Sequence, residues 1–196
     1  MPHFSTKSNF PGCRSFPPVA RPDARVLILG SMPGEESLRR QQYYAHPRNG
    51  FWPIMGGLLG FDPGLPYAER QERLAAAGIA LWDVLAACQR QGSLDADIRQ
   101  GEANDFLAFL RRQPRIRVVF FNGGAAATLF RRQVWPALSL EFPHLELCQL
   151  PSTSPAHAAL GLPAKLAAWK VVAEQAREAG TEAQGQKGAK GTPAAG

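Results

Sequence analysis

RVLILGSMPGEESLRRQQYYAHPRNGFW, residues 25–52, decides how the rest of the chain is read. The four residues after Arg25 are apolar without alternation, the pattern of a strand buried on both faces of a parallel sheet. The pattern stops at Gly30. In Gly30-Ser31-Met32-Pro33-Gly34, two glycines let backbone approach a ligand closely and a proline holds a turn. In an open α/β sheet, a loop leaving the carboxyl end of a strand is where ligands sit. The residues that follow suit such a place: Glu35, Glu36, Arg39, Arg40, Tyr43, Tyr44, His46, Arg48 and Asn49 combine charge, amide and aromatic faces in a stretch too polar for a core. The plainer alternative is a solvated loop with an ordinary helix start at Phe51 and Trp52.

The flanking sequence extends the same pattern. Residues 51–59 read as a short apolar helix with Pro53 in its first turn, and 66–77 as a charged amphipathic helix stopped by Gly78. A short strand, 79–82, ends at Asp83, which by position is a site residue or the cap of a following helix. Residues 84–98, punctuated by Gly92-Ser93, read as a surface loop that approaches a ligand without chemistry of its own. A helix over 102–113 and a strand over 117–121 follow. Asn122-Gly123-Gly124 then turns into a helix over 125–132, a weak signal for an anion at a helix start. The last strand, 145–150, empties into Pro151-Ser152-Thr153-Ser154-Pro155-Ala156-His157, and 163–179 read as a closing helix. Strands alternating with helices predict an α/β fold: three layers, α/β/α, around a central, mainly parallel four-stranded sheet. Both unusual loops leave carboxyl ends of strands, so they can meet on one edge.

Outside this domain, 24–179, lie two other segments. Residues 1–23 are rich in Pro, Ser and Phe and read as an extended arm, stapled by Phe4, Phe10 and Phe16, with Lys7, Arg14 and Arg21 able to touch phosphates. Residues 180–196 are rich in Gly, Ala and Lys and lack aromatics, the composition of a disordered basic tail.

A chain of 196 residues with 45% hydrophobic and 19% charged content is long enough for one domain with a full core. No apolar run approaches a membrane span of about 18 residues, and no signal-peptide layout opens the chain. The expectation is a cytoplasmic protein, associated with the nucleoid if it binds DNA. A net charge of +6 and a pI near 9.7 point weakly toward a polyanion. Cys13, Cys88 and Cys148 form no CxxC pair, which argues against a zinc site, a cluster or a disulfide framework. No two of the four histidines sit at metal-ligand spacing. No metal and no cofactor is therefore expected.

Several chemistries are excluded by missing motifs. There is no GxSxG nucleophile elbow. GSMPGEES lacks the lysine of a phosphate-binding loop, and Gly30 and Gly34 alone do not make a dinucleotide fingerprint. What remains suits a base flipped out of DNA: aromatic faces for stacking, amides and carboxylates for the base edge, and small loops whose N–H groups grip phosphates.

Taken together, GSMPG after a strand, YYAHPRNGFW, and LPSTSPAH after the last strand resemble the uracil-DNA glycosylase superfamily. Within it they are most similar to the hypoxanthine (deoxyinosine) DNA glycosylase branch, with the mismatch-specific uracil-DNA glycosylases next. The resemblance spans about residues 25–175. It implies that Met32 stands where mismatch-specific relatives carry a water-positioning asparagine, and that the role passes to Asn49, which also fits a helix N-cap before Phe51. By the same resemblance Tyr44 stacks on the extruded base, and Ser31, Met32, Phe51 and Asp83 complete its surroundings. A carboxylate at Asp83 suits the N1–H of hypoxanthine, though uracil also offers an N–H. Ser152 takes the place of a catalytic histidine or asparagine. Gly30, Pro33, Gly34, Arg48, Ser152, Thr153, Ser154, Pro155, Ala156 and His157 fall at DNA-contacting positions. Ala156 stands where relatives often insert a leucine wedge, leaving His157 as a candidate for that role.

The implied activity is monofunctional hydrolysis of the N-glycosidic bond of hypoxanthine, with uracil and xanthine as further substrates and no lyase step. The partner is double-stranded DNA carrying deaminated bases, with single-stranded DNA left open, and the protein acts as a monomer. A mismatch-specific uracil glycosylase, a non-catalytic binder of damaged DNA and, remotely, a nucleotide-binding protein using Asn122-Gly123-Gly124 are the alternatives.

Overall fold

The computed structural model describes residues 12–185. The chain runs β1 (Gly12–Arg14), β2 (Val26–Gly30), α1 (Glu35–Arg40), α2 (Phe51–Leu59), α3 (Tyr67–Ala76), β3 (Ile79–Asp83) and β4 (Leu85–Gln89). It continues through a 3₁₀ turn (Asp95–Asp97), β5 (Arg99–Ala103), α4 (Phe106–Arg111), β6 (Val118–Asn122), α5 (Gly124–Gln133), α6 (Trp135–Leu138), β7 (Glu146–Leu150) and α7 (Leu162–Gly185).

Four strands form the central sheet in the order β3-β2-β6-β7, with every neighbouring pair parallel. β2 and β3 are buried at every position, and β6 at all but Asn122, as strands covered on both faces must be. Helices α4 and α5 lie on one face, where Trp82, Phe106, Phe109, Phe121 and Phe130 form an aromatic layer with neighbouring centroids 5.0 to 5.3 Å apart. Helices α2, α3 and α7 cover the other, with Trp169 wholly buried against Phe51. This is the three-layer α/β/α arrangement expected, and the four strands read from the sequence are the four of this sheet.

The chain passes from β2 out to β3 on one side, then returns to lay β6 on the other. The reversal beside β2 opens a crevice at the carboxyl ends of the strands. Gly30 is in register with Asp83, and Asn122 with Leu150, so the strand ends finish level around that crevice.

Other stretches differ from the sequence reading. Residues 84–98 are not simply a surface loop: β4 begins there and joins β1 and β5 in a second, antiparallel sheet of order β1-β4-β5. Register shifts along β4 break the alternation of period two that marks a strand. Because β5 takes Arg99–Ala103, the helix expected from residue 102 starts only at Phe106, where Asp105 accepts the N–H of Ala108 as its cap. The polar segment after Gly34 holds the short helix α1, braced by Glu36 with Arg39 at 2.7 Å and Arg40 at 2.5 Å.

The described part of the arm, residues 12–23, pairs first with β4 through β1 and then, around Val19, runs beside the free edge of β3. Val19 and Leu81 exchange both backbone bonds, at 2.9 and 2.8 Å, covering an edge that would otherwise be unpaired. Phe16 packs edge-on against Tyr43, and its carbonyl accepts the Trp82 indole N–H at 3.0 Å. Arg21 turns to Glu72 at 3.3 Å. Phe4, Lys7 and Phe10 lie outside the described residues, as do residues 186–196 of the expected tail; α7 continues past Gly180 to Gly185. Among the described residues, no helix is long and apolar enough to cross a membrane.

Candidate active site

The four strand ends converge on a cavity of about 150 Å³. Pockets for drug-sized ligands run to roughly 300–1,000 Å³, so this one suits a single flat base of one or two fused rings. Gly30 and Ser31 reach it from β2, Asp83 from β3, Asn122 from β6, and Ser152 and Thr153 from the loop after β7. Tyr44, His46 and Asn49 come from the segment before α2, and Met32, Pro33 and Gly34 complete one wall.

Gly30 must be glycine. A Cβ there would lie 2.4 Å from Asp83 Oδ1 and 3.1 Å from the Tyr44 hydroxyl. Beyond it the chain is held from outside the central sheet. Val84 N–H donates to the Gly30 carbonyl at 2.8 Å and Leu85 N–H to that of Ser31 at 3.1 Å. The Ser31 hydroxyl donates to Asp95 Oδ1, the Glu35 N–H to Ser93 Oγ at 2.9 Å, and buried Arg90 to the Pro33 carbonyl. The segment expected to be passive, 84–98, thus fastens the motif loop at five points, two through its backbone and three through side chains.

Tyr44 has φ 54°, a left-handed conformation uncommon for a large side chain. Its ring stacks on Phe51 at 4.0 Å between centroids and 21° between planes, and its hydroxyl is buried. Phe51 is fully buried and supports Tyr44 from behind without lining the cavity. Asn49 Oδ1 accepts the Phe51 N–H at 3.0 Å, so this side chain both starts α2 and lines the cavity. The next residue joins the two loops: Gly50 N–H donates to the Thr153 carbonyl at 2.9 Å.

The loop after β7 is clamped by Asn122. Thr153 N–H donates to Asn122 Oδ1 at 2.8 Å, and Asn122 Nδ2 to Thr153 Oγ1 at 2.9 Å. Gly123, at φ 96°, passes so close to Ser152 that a Cβ on it would lie 2.9 Å from that of Ser152. Helix α7 fixes the loop from below: Trp169 Nε1 donates to the Pro151 carbonyl at 3.0 Å and buried Lys165 to that of His157 at 2.9 Å. Ser152 Oγ accepts the Ser154 N–H at 3.2 Å, leaving its proton available to a ligand. Ser154 and Pro155 form the rim, whereas Arg48, Ala156 and His157 are exposed and do not line the cavity.

Asp83 dominates the electrostatics. Its Oδ2 accepts the Ser15 hydroxyl at 2.9 Å, while Oδ1 lies toward Gly30 and Tyr44. Burial pushes this carboxyl up to about 7; the Ser15 bond and the Arg90 charge pull down, and Asp95 pushes up. Burial, followed by the charge of Asp83, raises the hydroxyls of Tyr43 and Tyr44 well above the ordinary phenol range. Among the described residues, no group of three or more His, Cys, Asp or Glu is placed to hold a metal.

The sequence reading did not assign Ser15, Asp95 or Asn122 to the site. Asn122 had a signal, a lone polar residue ending an apolar strand. Ser15 and Asp95 act across 68 and 64 residues of chain respectively and had none.

Comparison with known proteins follows the same lines. A family model described as the uracil DNA glycosylase superfamily matches residues 17–173. The hypoxanthine DNA glycosylase of Methanosarcina barkeri is 41% identical over 111 residues, 56% of this chain and 70% of the relative. That of Methanosarcina acetivorans is 40% identical over 114 residues, 58% of this chain and 72% of the relative. A solution NMR structure of a candidate uracil DNA glycosylase from Methanosarcina acetivorans superimposes with a TM-score of 0.71 at 33% identity, covering 85% of this chain and 99% of the other.

Proposed function

This chain belongs to the uracil DNA glycosylase superfamily, and we propose that it is a monofunctional glycosylase of base excision repair that releases hypoxanthine from deoxyinosine in double-stranded DNA. It acts as a monomer in the cytoplasm, with uracil and xanthine as secondary substrates. The observation that carries the reading is the base-sized cavity at the strand ends, bounded by Asp83 and by a tyrosine already stacked on its far side. The two hypoxanthine DNA glycosylases at 41% and 40% identity favour that base.

The extruded base enters the cavity and stacks on the face of Tyr44 away from Phe51. Asp83 Oδ1 accepts the N1–H of hypoxanthine. Adenine presents a lone pair at that position, which a carboxylate repels, so the pocket discriminates the deaminated base from its parent. The bond from the sugar C1′ to N9 then breaks with its electron pair leaving on the base. Negative charge on the base is met by N–H groups of the loop after Gly30. Asn49 orients a water whose oxygen bonds to C1′, and the proton that water gives up is balanced by one taken up by the departing base, which leaves as neutral hypoxanthine. Met32 closes one wall as a polarizable apolar surface, and Ser152 offers its hydroxyl to the base or sugar. Among the described residues no lysine lines the cavity, which supports a mechanism without a Schiff base on the sugar, in which the strand stays whole.

The test is single-turnover base release from matched duplexes carrying one deoxyinosine, deoxyuridine or deoxyxanthosine, read after alkaline cleavage. Preferential release of hypoxanthine is expected. Release of uracil above all overturns the base assignment; release of none leaves a DNA binder; nicking without alkali contradicts the monofunctional mechanism.

A further inference from the structure

Extruding a base leaves a gap in the stack, and proteins that unstack DNA fill such gaps with an exposed apolar side chain. Beside the base cavity lies a second groove of about 470 Å³, which shares Glu36, His46, Ser93, Ser154 and Pro155 with it. One bank of this groove carries Ala156, which has little side chain to insert. The other carries Leu94, an apolar residue left 56% exposed.

The residues on either side of Leu94 are both fastened to the loop after β2. Ser93 Oγ accepts the Glu35 N–H at 2.9 Å, and Asp95 accepts the Ser31 hydroxyl. Leu94 therefore stands at the tip of an anchored turn at the mouth of the site. Among the described residues the other exposed large hydrophobics are Leu140, Leu160 and Leu162. Leu140 precedes β7, at the amino ends of the strands and away from the cavity. Leu162 packs toward Gly50, and Leu160 lines neither the cavity nor the groove.

We propose that Leu94 is the wedge that enters the duplex as the base leaves it, with Ser93 and Asp95 as the positioning residues that hold it. The proposal rests on the reading of the cavity as a base pocket. It moves the wedge off the loop after β7 and onto the turn between β4 and β5.

The test compares full-length wild type, Leu94→Ala and Leu160→Ala on a deoxyinosine duplex and on the same strand unpaired. In Leu94→Ala, duplex release is expected to fall at least about tenfold, the effect of roughly 1.4 kcal/mol of lost gap filling, while single-strand release stays within about twofold. Leu160→Ala is expected to match wild type on both. In parallel, 2-aminopurine placed beside the deoxyinosine should brighten with wild type and not with Leu94→Ala. This signal reports insertion whether or not the base is released. Equal losses on both substrates, unchanged brightening with Leu94→Ala, or a duplex-specific loss in Leu160→Ala overturns the assignment. Brightening by a wild type that releases no base supports the wedge while overturning the glycosylase reading.

Discussion

The parallel sheet β3-β2-β6-β7 and the antiparallel sheet β1-β4-β5 meet at one cavity and build it differently. The parallel sheet supplies the floor from the level ends of buried strands, at Gly30, Asp83 and Asn122. The antiparallel sheet and the segments leaving its strands supply side chains that grip what the floor presents: Ser15 on Asp83, Asp95 on Ser31, Ser93 on Glu35. The floor is inseparable from the core, so it sets what chemistry the site can do. The grip is made of single hydrogen bonds, each worth about 0.5–1.5 kcal/mol net, so it adjusts that chemistry and can change without loss of the fold.

Substitutions on the two sides should therefore differ in size. The largest effect is expected from Asn49→Ala, which acts on a loop delivered by the parallel sheet. Single-turnover hypoxanthine release should fall about 10²–10³-fold, the scale seen for a group that acts in the transition state. DNA binding measured by anisotropy should stay within about twofold, and thermal unfolding should report about 1 kcal/mol for the lost bond to the Phe51 N–H. A variant that releases base at the wild-type rate would leave Asn49 with only its helix-starting role.

Asp83→Asn follows, with a pH signature. The folded carboxyl is raised from 3.8 to about 7, so its favourable contribution to stability is fully present below about pH 4 and is lost as pH rises through 7. Relative to Asp83→Asn, the wild type should lose up to about 4 kcal/mol between those limits, measured by denaturant unfolding across pH. Base release by wild type should rise with pH through about 7 as the carboxylate forms. Ser15, Asp95 and Arg90, the groups acting on this carboxyl, remain in the variant, whose profile should be flat over that range. A wild-type rate independent of pH there would remove Asp83 from base recognition.

The smallest effect is expected from Ser15→Ala, which touches the floor from the other sheet. Losing the hydrogen bond disfavours the charged form of Asp83, so the midpoint of the pH–rate profile should move upward. Release at pH 7 should fall about two- to threefold, at a cost of about 1 kcal/mol in stability. An effect as large as that of Asp83→Asn would erase the difference between floor and grip.

The contrast also explains which parts were legible in the sequence. Strands buried on both faces write themselves as apolar runs, so β2, β3 and β6 were readable; β7, a half-exposed edge strand, was read over 145–150 from the leucines at either end and the Ser/Pro loop it empties into, and with these strands came the strand-end positions Gly30, Asp83 and Ser152. Tyr44 and Asn49 followed from the motif that the first loop carries. Strand β5, by contrast, is RQGEA, largely polar and poor in β-formers, and its pairing with β4 is interrupted. Strand β1 finds its partner more than 70 residues away, with Gly12 opposite Gln89. Ser15 and Asp95 join the site through one side-chain bond each to residues distant in the chain, and no local pattern announces a contact of that kind. Leu94 was hidden for the same reason, because its position depends on the anchors beside it.

The proposed mechanism puts the extruded base at the ends of the four parallel strands. The most direct measurement is the structure of the full chain bound to a duplex carrying a non-hydrolysable 2′-fluoroarabino analogue of deoxyinosine. The base is expected in the cavity, with N1 within hydrogen-bond distance of Asp83 and the ring on Tyr44. A base that remains stacked in the duplex, or one bound outside the cavity, would contradict the claim.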